Sequence, residues 1–127
     1  MANYTVKNLK ELPNSAEQFG IEGLDARFAR QPLELEKFGF SLQSMTPNFR
    51  QPFGHTHSEQ EEAYLVLRGG GRVKVEDEIV DLKQWDAIRV PAGATRQFEA
   101  GDEGMDVLAM GAPHADDTEM LQGWWSD

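Results

Sequence analysis

The sequence contains no cysteine and only three histidines among its 127 residues. Without cysteine the chain cannot form disulfides, thiolate metal sites or a cysteine nucleophile. Basic residues are also few, with 12 Lys and Arg against 22 Asp and Glu, so the formal net charge is −10. That charge argues against nucleic acids and anionic membrane surfaces as partners, because both are bound through basic surfaces.

The sequence has no long apolar run, and its mean hydropathy is −0.56. This excludes a transmembrane helix. The first fifteen residues lack the apolar centre of a signal peptide, so we expect a cytoplasmic protein. The length predicts one domain that spans residues 1–127 and buries a core large enough to fold without cross-links.

From Leu33 onward, apolar and polar residues alternate in short runs separated by turn residues. One apolar run ends at Gly69, and another ends at Pro91. Between them, the alternation predicts a hairpin formed by Arg72–Val75 and Ile79–Leu82. Eight to ten short strands with almost no helical periodicity predict an all-β sandwich or barrel.

Helical signals are confined to the two ends of the chain. Ser15 followed by Gln18 fits a capping box and predicts a short helix over Ala16–Phe19. The tail, Asp116–Trp125, is predicted to form a second short helix capped by Asp116 or Asp117. We expect Trp124 and Trp125 to pack over a barrel end or an interface.

The segment with the clearest chemistry contains two of the three histidines, His55 and His57, followed by Glu62. Residues two apart in a strand share a face, so the two imidazoles can reach one ion. A turn over residues 58–60 would return Glu62 as a third ligand. Two histidines and one carboxylate suit Fe(II), Mn(II), Ni(II) or Zn(II) and leave positions open for substrate. The alternative is a solvated acidic loop without a metal.

These residues resemble the first motif of the cupins, which reads Gly, five residues, His-X-His, three or four residues, Glu, six residues, Gly. His55, His57, Glu62 and Gly69 fall in register, and Phe49 stands at the place of the leading glycine. The resemblance implies a jelly-roll β-barrel.

The second cupin motif reads Gly, five residues, Pro-X-Gly, two residues, His, three residues, Asn. Pro91 and Gly93 match it, whereas Trp85 replaces the Gly, Arg96 the His and Ala100 the Asn. The resemblance covers about residues 38–112. We therefore expect a single cupin-type barrel with short terminal helical segments.

In the family the second-motif His is the fourth metal ligand. Arg96 cannot replace it, because a guanidinium stays protonated and has no lone pair to donate. Its charge should lower the affinity of the site for a metal. Arg96 could bind a carboxylate or phosphate of a substrate beside a three-ligand metal, pair with Glu62 in a metal-free pocket, or point outward as a surface residue.

Strand parity supplies the other candidates for the pocket. Tyr64 shares the face of Glu62, and Phe98 shares the face of Arg96, so both are expected to bind the ligand. Further wall candidates follow from the same alternation, namely Phe40, Leu42, Ser44, Leu108 and Met110. His114 follows the last predicted strand and is expected at the surface.

Cupins include dioxygenases, isomerases, decarboxylases and binding proteins, so the fold alone does not fix an activity. We expect a divalent metal held by His55, His57 and Glu62, a small anionic or carboxylated ligand, and an oxygenase or isomerase type of reaction. The alternatives are a non-catalytic, metal-free binding protein and a module that has lost its site. The resemblance also implies a homodimer, for which Tyr4-Thr5-Val6 could lend a strand.

Overall fold

The computed structural model of the protein describes residues 2–127. Eight strands make up most of it: β1 (Leu24–Phe28), β2 (Gly39–Met45), β3 (Phe53–His57), β4 (Glu62–Val75), β5 (Glu78–Lys83), β6 (Ala87–Val90), β7 (Arg96–Gly111) and β8 (Thr118–Gln122). A 3₁₀ turn (Leu9–Glu11) and two short helices, α1 (Ser15–Gln18) and α2 (Arg30–Leu33), lie near the N-terminus. No helix in the described part of the chain has the length and apolar character needed to cross a membrane.

All eight strands belong to one curled sheet, and every pairing between them is antiparallel. Along one path the strand order is β1-β2-β7-β3-β8, and β4 pairs with β5, β6 and β7. This topology confirms the predicted all-β class and the cupin-type jelly-roll barrel. The predicted hairpin is present as well, with Val75 opposite Glu78 and Arg72 opposite Asp81.

Two strands are longer than the sequence pattern predicts. Segments predicted as separate strands join into the 14-residue β4 and the 16-residue β7, and the two pair along most of their length. The register between them shifts on either side of Gly69. Gly69 has φ +69°, and a Cβ at this position would lie 2.1 Å from the carbonyl oxygen of Gly104. Only glycine fits this close approach of two backbones.

The core lies inside the curl of the sheet. Val66 and Val73 of β4 are almost fully buried, as are Phe98, Met105 and Val107 of β7. They pack in one cluster with side chains from the neighbouring strands. Because the two longest strands supply most of this cluster, the core holds them in a fixed position beside the site described below.

The helical predictions are confirmed at one end of the chain and wrong at the other. Helix α1 (Ser15–Gln18) begins and ends one residue earlier than predicted, and the predicted capping box is wrong, because Asn14 and not Ser15 caps the helix by accepting from the Ala16 N–H. The predicted C-terminal helix is absent, because residues 118–122 form strand β8 against β3. Pairing with β3 satisfies the backbone groups of this short segment, which has too few residues for a stable helix.

The two C-terminal tryptophans pack on the side of the sheet opposite the core. Trp125 is 4% exposed and contacts the guanidinium groups of Arg50 and Arg72, which lie 4.2 and 5.0 Å from its ring centre. Trp124 covers Gly54, where a Cβ would lie 2.8 Å from the indole. Trp125 is therefore buried by its own chain.

Candidate functional site

Strands β3 and β4 bring the three predicted ligands together. His55 and His57 leave the same face of β3, and Glu62 is the first residue of β4 after the turn. Glu62 Oε1 lies 3.6 Å from His55 Nε2 and 3.3 Å from His57 Nε2. One ligand atom from each residue lies within 4.8 Å of the others, so the three form a group able to hold a metal ion.

The separations of the two histidines from Glu62 fit one ion. Ligand atoms that lie about 2.1 Å from an ion and roughly 90–120° apart are about 3.0–3.6 Å from each other. The two distances from the histidines to Glu62 fall at or within that range. Two imidazoles and one carboxylate are also a donor set that divalent transition metals accept, so the residues fit the metal that the fold implies.

Glu62 is the electrostatic centre of the site. Burial opposes its ionisation, but hydrogen bonds from His55, His57 and Tyr64 outweigh burial and lower the pKa of Glu62 far below its ordinary value. The Tyr64 hydroxyl donates to Glu62 Oε1. Burial and the neighbouring carboxylate raise the pKa of Tyr64 well above 10, so this phenol stays a donor.

Arg96 lies directly beside this group. It pairs across the ladder with His55, so both side chains leave the same face of the sheet. Its Nη1 is 4.0 Å from Glu62 Oε1, and the residue is fully buried. The surface alternative for Arg96 is therefore wrong. None of its three nitrogens has a hydrogen-bond partner among the described residues, and Arg96 is not among the side chains that line the cavity.

Asp117 is a contributor that sequence reasoning missed. Its Oδ1 lies 3.1 Å from His57 Nδ1, and its Oδ2 accepts from the backbone N–H groups of Glu59 and Gln60. Burial opposes ionisation, but these bonds lower the pKa of Asp117. A carboxylate only accepts, so Nδ1 of His57 carries the proton that faces Asp117, and Nε2 becomes free to ligate a metal when the proton donated to Glu62 is lost.

The proton balance of His57 follows from its two acidic neighbours. The hydrogen bond to Glu62 raises the pKa of His57, burial lowers it, and the contact with Asp117 raises it again. The positive charge of Arg96 opposes this rise. A metal at Nε2 would replace the proton that His57 otherwise shares with Glu62.

No sequence signal identifies Asp117, because it lies 60 residues from His57 and its local sequence is typical of a helix cap. His114, by contrast, is exposed as expected and is not one of the three residues in the metal-capable group.

A cavity of about 410 Å³ opens beside the three ligands. Tyr64 and Phe98 line it, as the alternation of their strands predicts, and their rings lie 4.7 Å apart. The rest of the wall differs in part from expectation. Phe40 contributes, whereas Leu42 and Ser44 do not, and the opposite face of β2 supplies Ser41, Gln43 and Met45.

The prediction of which β7 residues line the cavity is also wrong. Val107 and Ala109 line the cavity in place of Leu108 and Met110. The irregular pairing near Gly69 explains this error, because it reverses which residues of β7 face inward. Arg96, Phe98 and Ala100 point in before the irregularity, and alternate residues from Met105 do so after it.

Comparison with known proteins agrees with this architecture. The family model described as Cupin domain matches residues 41–111. None of the curated proteins matches the sequence at a significant level.

Solved structures share the fold at low sequence identity. A cupin protein from Bacteroides fragilis is 20% identical with a TM-score of 0.73, and the match covers 91% of this chain and 89% of that one. KdgF from a Halomonas species is 16% identical with a TM-score of 0.70, covering 92% and 98%. Oxalate decarboxylase from Bacillus subtilis is 22% identical with a TM-score of 0.74, and the match covers 94% of this chain but 33% of that enzyme.

Proposed function

Because the chain belongs to the family of cupin domains, we propose that its barrel holds a divalent transition metal through His55, His57 and Glu62. The same site binds a small anionic or carboxylated molecule and acts on it as an oxygenase or isomerase type of enzyme. The observation that carries this proposal is the convergence of the three ligand atoms within 4.8 Å beside the cavity.

The surroundings of the ligands support a metal. Asp117 holds His57 in the tautomer that leaves Nε2 free to ligate, as outer carboxylates do in metalloproteins. Glu62 stays ionised because its hydrogen bonds outweigh its burial. A bound Fe(II), Mn(II), Ni(II) or Zn(II) would supply Lewis-acid polarisation of a substrate oxygen or, for iron, activation of oxygen.

The charges of the site support an anionic ligand. The positive charge of Arg96 offsets the negative charge of Glu62, so a divalent ion added to neutral histidines leaves the site with a net positive charge. Arg30 adds a cation to the cavity wall and has no acidic partner within 4.0 Å among residues 2–127. A local positive potential of this kind attracts a small anion to a protein whose net charge is −10.

The protein's own side chains would then orient the ligand and exclude water. The Tyr64 hydroxyl holds the Glu62 carboxylate in place, and Phe98 packs against the Tyr64 ring. Apolar walls around a few convergent polar groups are the usual form of a small-molecule site.

A metal-free binding protein is the second candidate, and Arg96 favours it. A buried guanidinium with no hydrogen bond among the described residues is costly, and the Glu62 carboxylate 4.0 Å away is the charge that balances it when no cation is bound. His55 and His57 would then serve as hydrogen-bonding groups for the ligand.

Metal analysis of the purified protein separates the two candidates. After reconstitution with Fe(II), Mn(II), Ni(II) or Zn(II) and removal of free metal, we expect one ion per chain. The His57→Ala variant should lose the ion, whereas the control His114→Ala, at an exposed histidine, should keep it. Protein that retains none of the four metals would overturn the proposed function and favour the metal-free candidate.

A homodimer is also part of the proposal. Tyr4 and Val6, which were predicted to lend a strand, form no strand within the single chain and are 77% and 78% exposed. Burying such exposed apolar side chains against a second copy of the chain would stabilise the dimer. Sedimentation equilibrium should give twice the chain mass, and a Tyr4→Ser, Val6→Ser double variant should give the monomer.

A further inference from the structure

The walls of the cavity determine which ligands fit beyond the carboxylate that would bind at the metal. The part of the ligand outside that carboxylate is called its body below. Three strands supply small or apolar side chains to the middle of the cavity, namely Leu24, Ala26, Met45, Phe98, Val107 and Ala109. Its outer part is lined by Phe19, Phe28 and Met120, which are 77%, 53% and 60% exposed. The path from solvent to the three metal-ligating residues is therefore apolar along most of its length.

Three of the polar side chains on the wall make hydrogen bonds within the protein. The Gln43 amide donates to Ser41 Oγ, the Gln51 side-chain carbonyl accepts from the Phe98 N–H, and the Gln60 amide donates to the Ala112 carbonyl. Most of the remaining wall is apolar, so most hydroxyl groups of a hydroxyl-rich ligand would lose their hydration without compensation.

The size of the cavity sets the scale of the ligand. An apolar cavity of about 150 Å³ already admits a benzene molecule. The volume of about 410 Å³ therefore holds a ring with a carboxylate and one further substituent. Ala109 pairs with Ser41 on one side and Tyr64 on the other, so its small side chain keeps this space open.

We propose that the site selects carboxylated molecules with a ring-sized hydrocarbon body and rejects polyhydroxylated acids and short polar acids. This inference rests on the proposed function for the carboxylate and on the cavity walls for the body. The apolar walls stabilise the body by removing it from water, and they offer few partners to the hydroxyl groups of a polyhydroxylated acid.

Three probes with the same 2-hydroxy carboxylate group isolate the contribution of the body. Mandelate carries a phenyl ring, gluconate a polyhydroxylated chain, and glycolate no body. Titration calorimetry on the Zn(II)-reconstituted protein should show mandelate binding roughly tenfold or more tighter than either of the others. Gluconate or glycolate binding as tightly as mandelate would overturn the proposal.

Variants that fill the cavity give the second arm of the test. Ala109→Leu should abolish the preference for mandelate, and Ala26→Leu should do so independently from β1 if the first variant does not fold. Ala87→Leu, at an exposed position of β6, should leave the preference unchanged. A preference that persists in a folded filled variant would contradict the inference.

Metal content, measured before each titration, distinguishes the two proposals. If no metal binds, the proposed function fails. The same three probes on the metal-free protein then decide the present inference, because the contribution of the walls does not depend on the ion. A metal-free protein that binds none of the three, or all of them equally, would overturn it.

Discussion

Arg96 places a permanent positive charge beside the carboxylate that would ligate the metal. Its guanidinium is fully buried, 4.0 Å from Glu62, and without a hydrogen bond among the described residues. An ion in the site would share the negative charge of Glu62 with this arginine. The single replacement therefore both removes a ligand expected from the cupin motif and opposes the binding of a cation.

Replacing this arginine with a ligand should strengthen the site. Arg96→His removes the positive charge and adds a nitrogen lone pair, so metal affinity should rise roughly tenfold or more. Competition with a fluorescent chelator measures the change. Arg89→His serves as the control, because Arg89 is exposed and pairs with the exposed Glu61. Equal effects of the two variants would show that Arg96 does not act on the ion.

Asp117 acts on the metal through His57. Asp117→Asn keeps the shape of the side chain but weakens the acceptor that fixes the His57 tautomer, so metal affinity should fall about 10–100-fold. The same change at the exposed Asp116 is the control. The free energy of unfolding of the metal-free protein is measured in parallel. If that free energy falls and the metal affinity does not, Asp117 has only a structural role.

At the scale of elements, the sequence predicts local structure well and strand continuity poorly. The face shared by His55 and His57, the turn before Glu62 and the hairpin of β4 and β5 follow from alternation and turn residues. The joining of short runs into β4 and β7 does not, because the irregular pairing near Gly69 depends on contacts between distant segments. The wrong prediction that Leu108 and Met110 line the cavity follows directly from this irregular pairing.

The C-terminal tail shows the same limit. Its acidic residues and tryptophans fit a capped helix locally, but pairing with β3 and the contact of Trp125 with Arg50 and Arg72 decide its structure. Those partners lie 50 or more residues away in the sequence. For the same reason Asp117 could not be assigned to the site before the fold was known.

Loss of the buried tryptophan should destabilise the whole barrel. Trp125→Ala removes an almost fully buried ring and two cation–π contacts, which should lower the free energy of unfolding by about 3–5 kcal/mol. Trp85→Ala, at a residue that is 67% exposed, should change it by less than about 0.5 kcal/mol. Denaturation in urea compares the two, and equal losses would contradict the packing described for the tail.

At the scale of the whole molecule, acidic residues dominate the charge, and several of them form ion pairs. Glu99 is one of these, since it bridges Arg50 and Arg72 on the face that carries Trp125. Burial opposes its ionisation, and hydrogen bonds from Arg72 and Arg50 outweigh burial and lower the pKa of Glu99. A carboxyl group with a lowered pKa in the folded state stabilises the protein at neutral pH, and this contribution is lost as the pH falls.

Acid titration of stability tests this contribution. Glu99→Gln should lower the free energy of unfolding by about 1 kcal/mol at pH 7, since the group is only partly buried. The difference from the unaltered protein should shrink as the pH falls below the ordinary glutamate value of 4.5. Glu78→Gln, at an exposed residue of β5, is the control. A difference for Glu99→Gln that stays constant between pH 7 and pH 3 would show that its charge is not responsible.

The most direct test of the account is the position of the metal in a crystal of the Zn(II)- or Ni(II)-loaded protein, located by anomalous scattering at the metal edge. We predict one ion per chain in the barrel, bonded to Nε2 of His55, Nε2 of His57 and a carboxylate oxygen of Glu62, with Arg96 near but not coordinating. An ion found at His114 or at surface carboxylates, with the three barrel residues free of metal, would contradict the account.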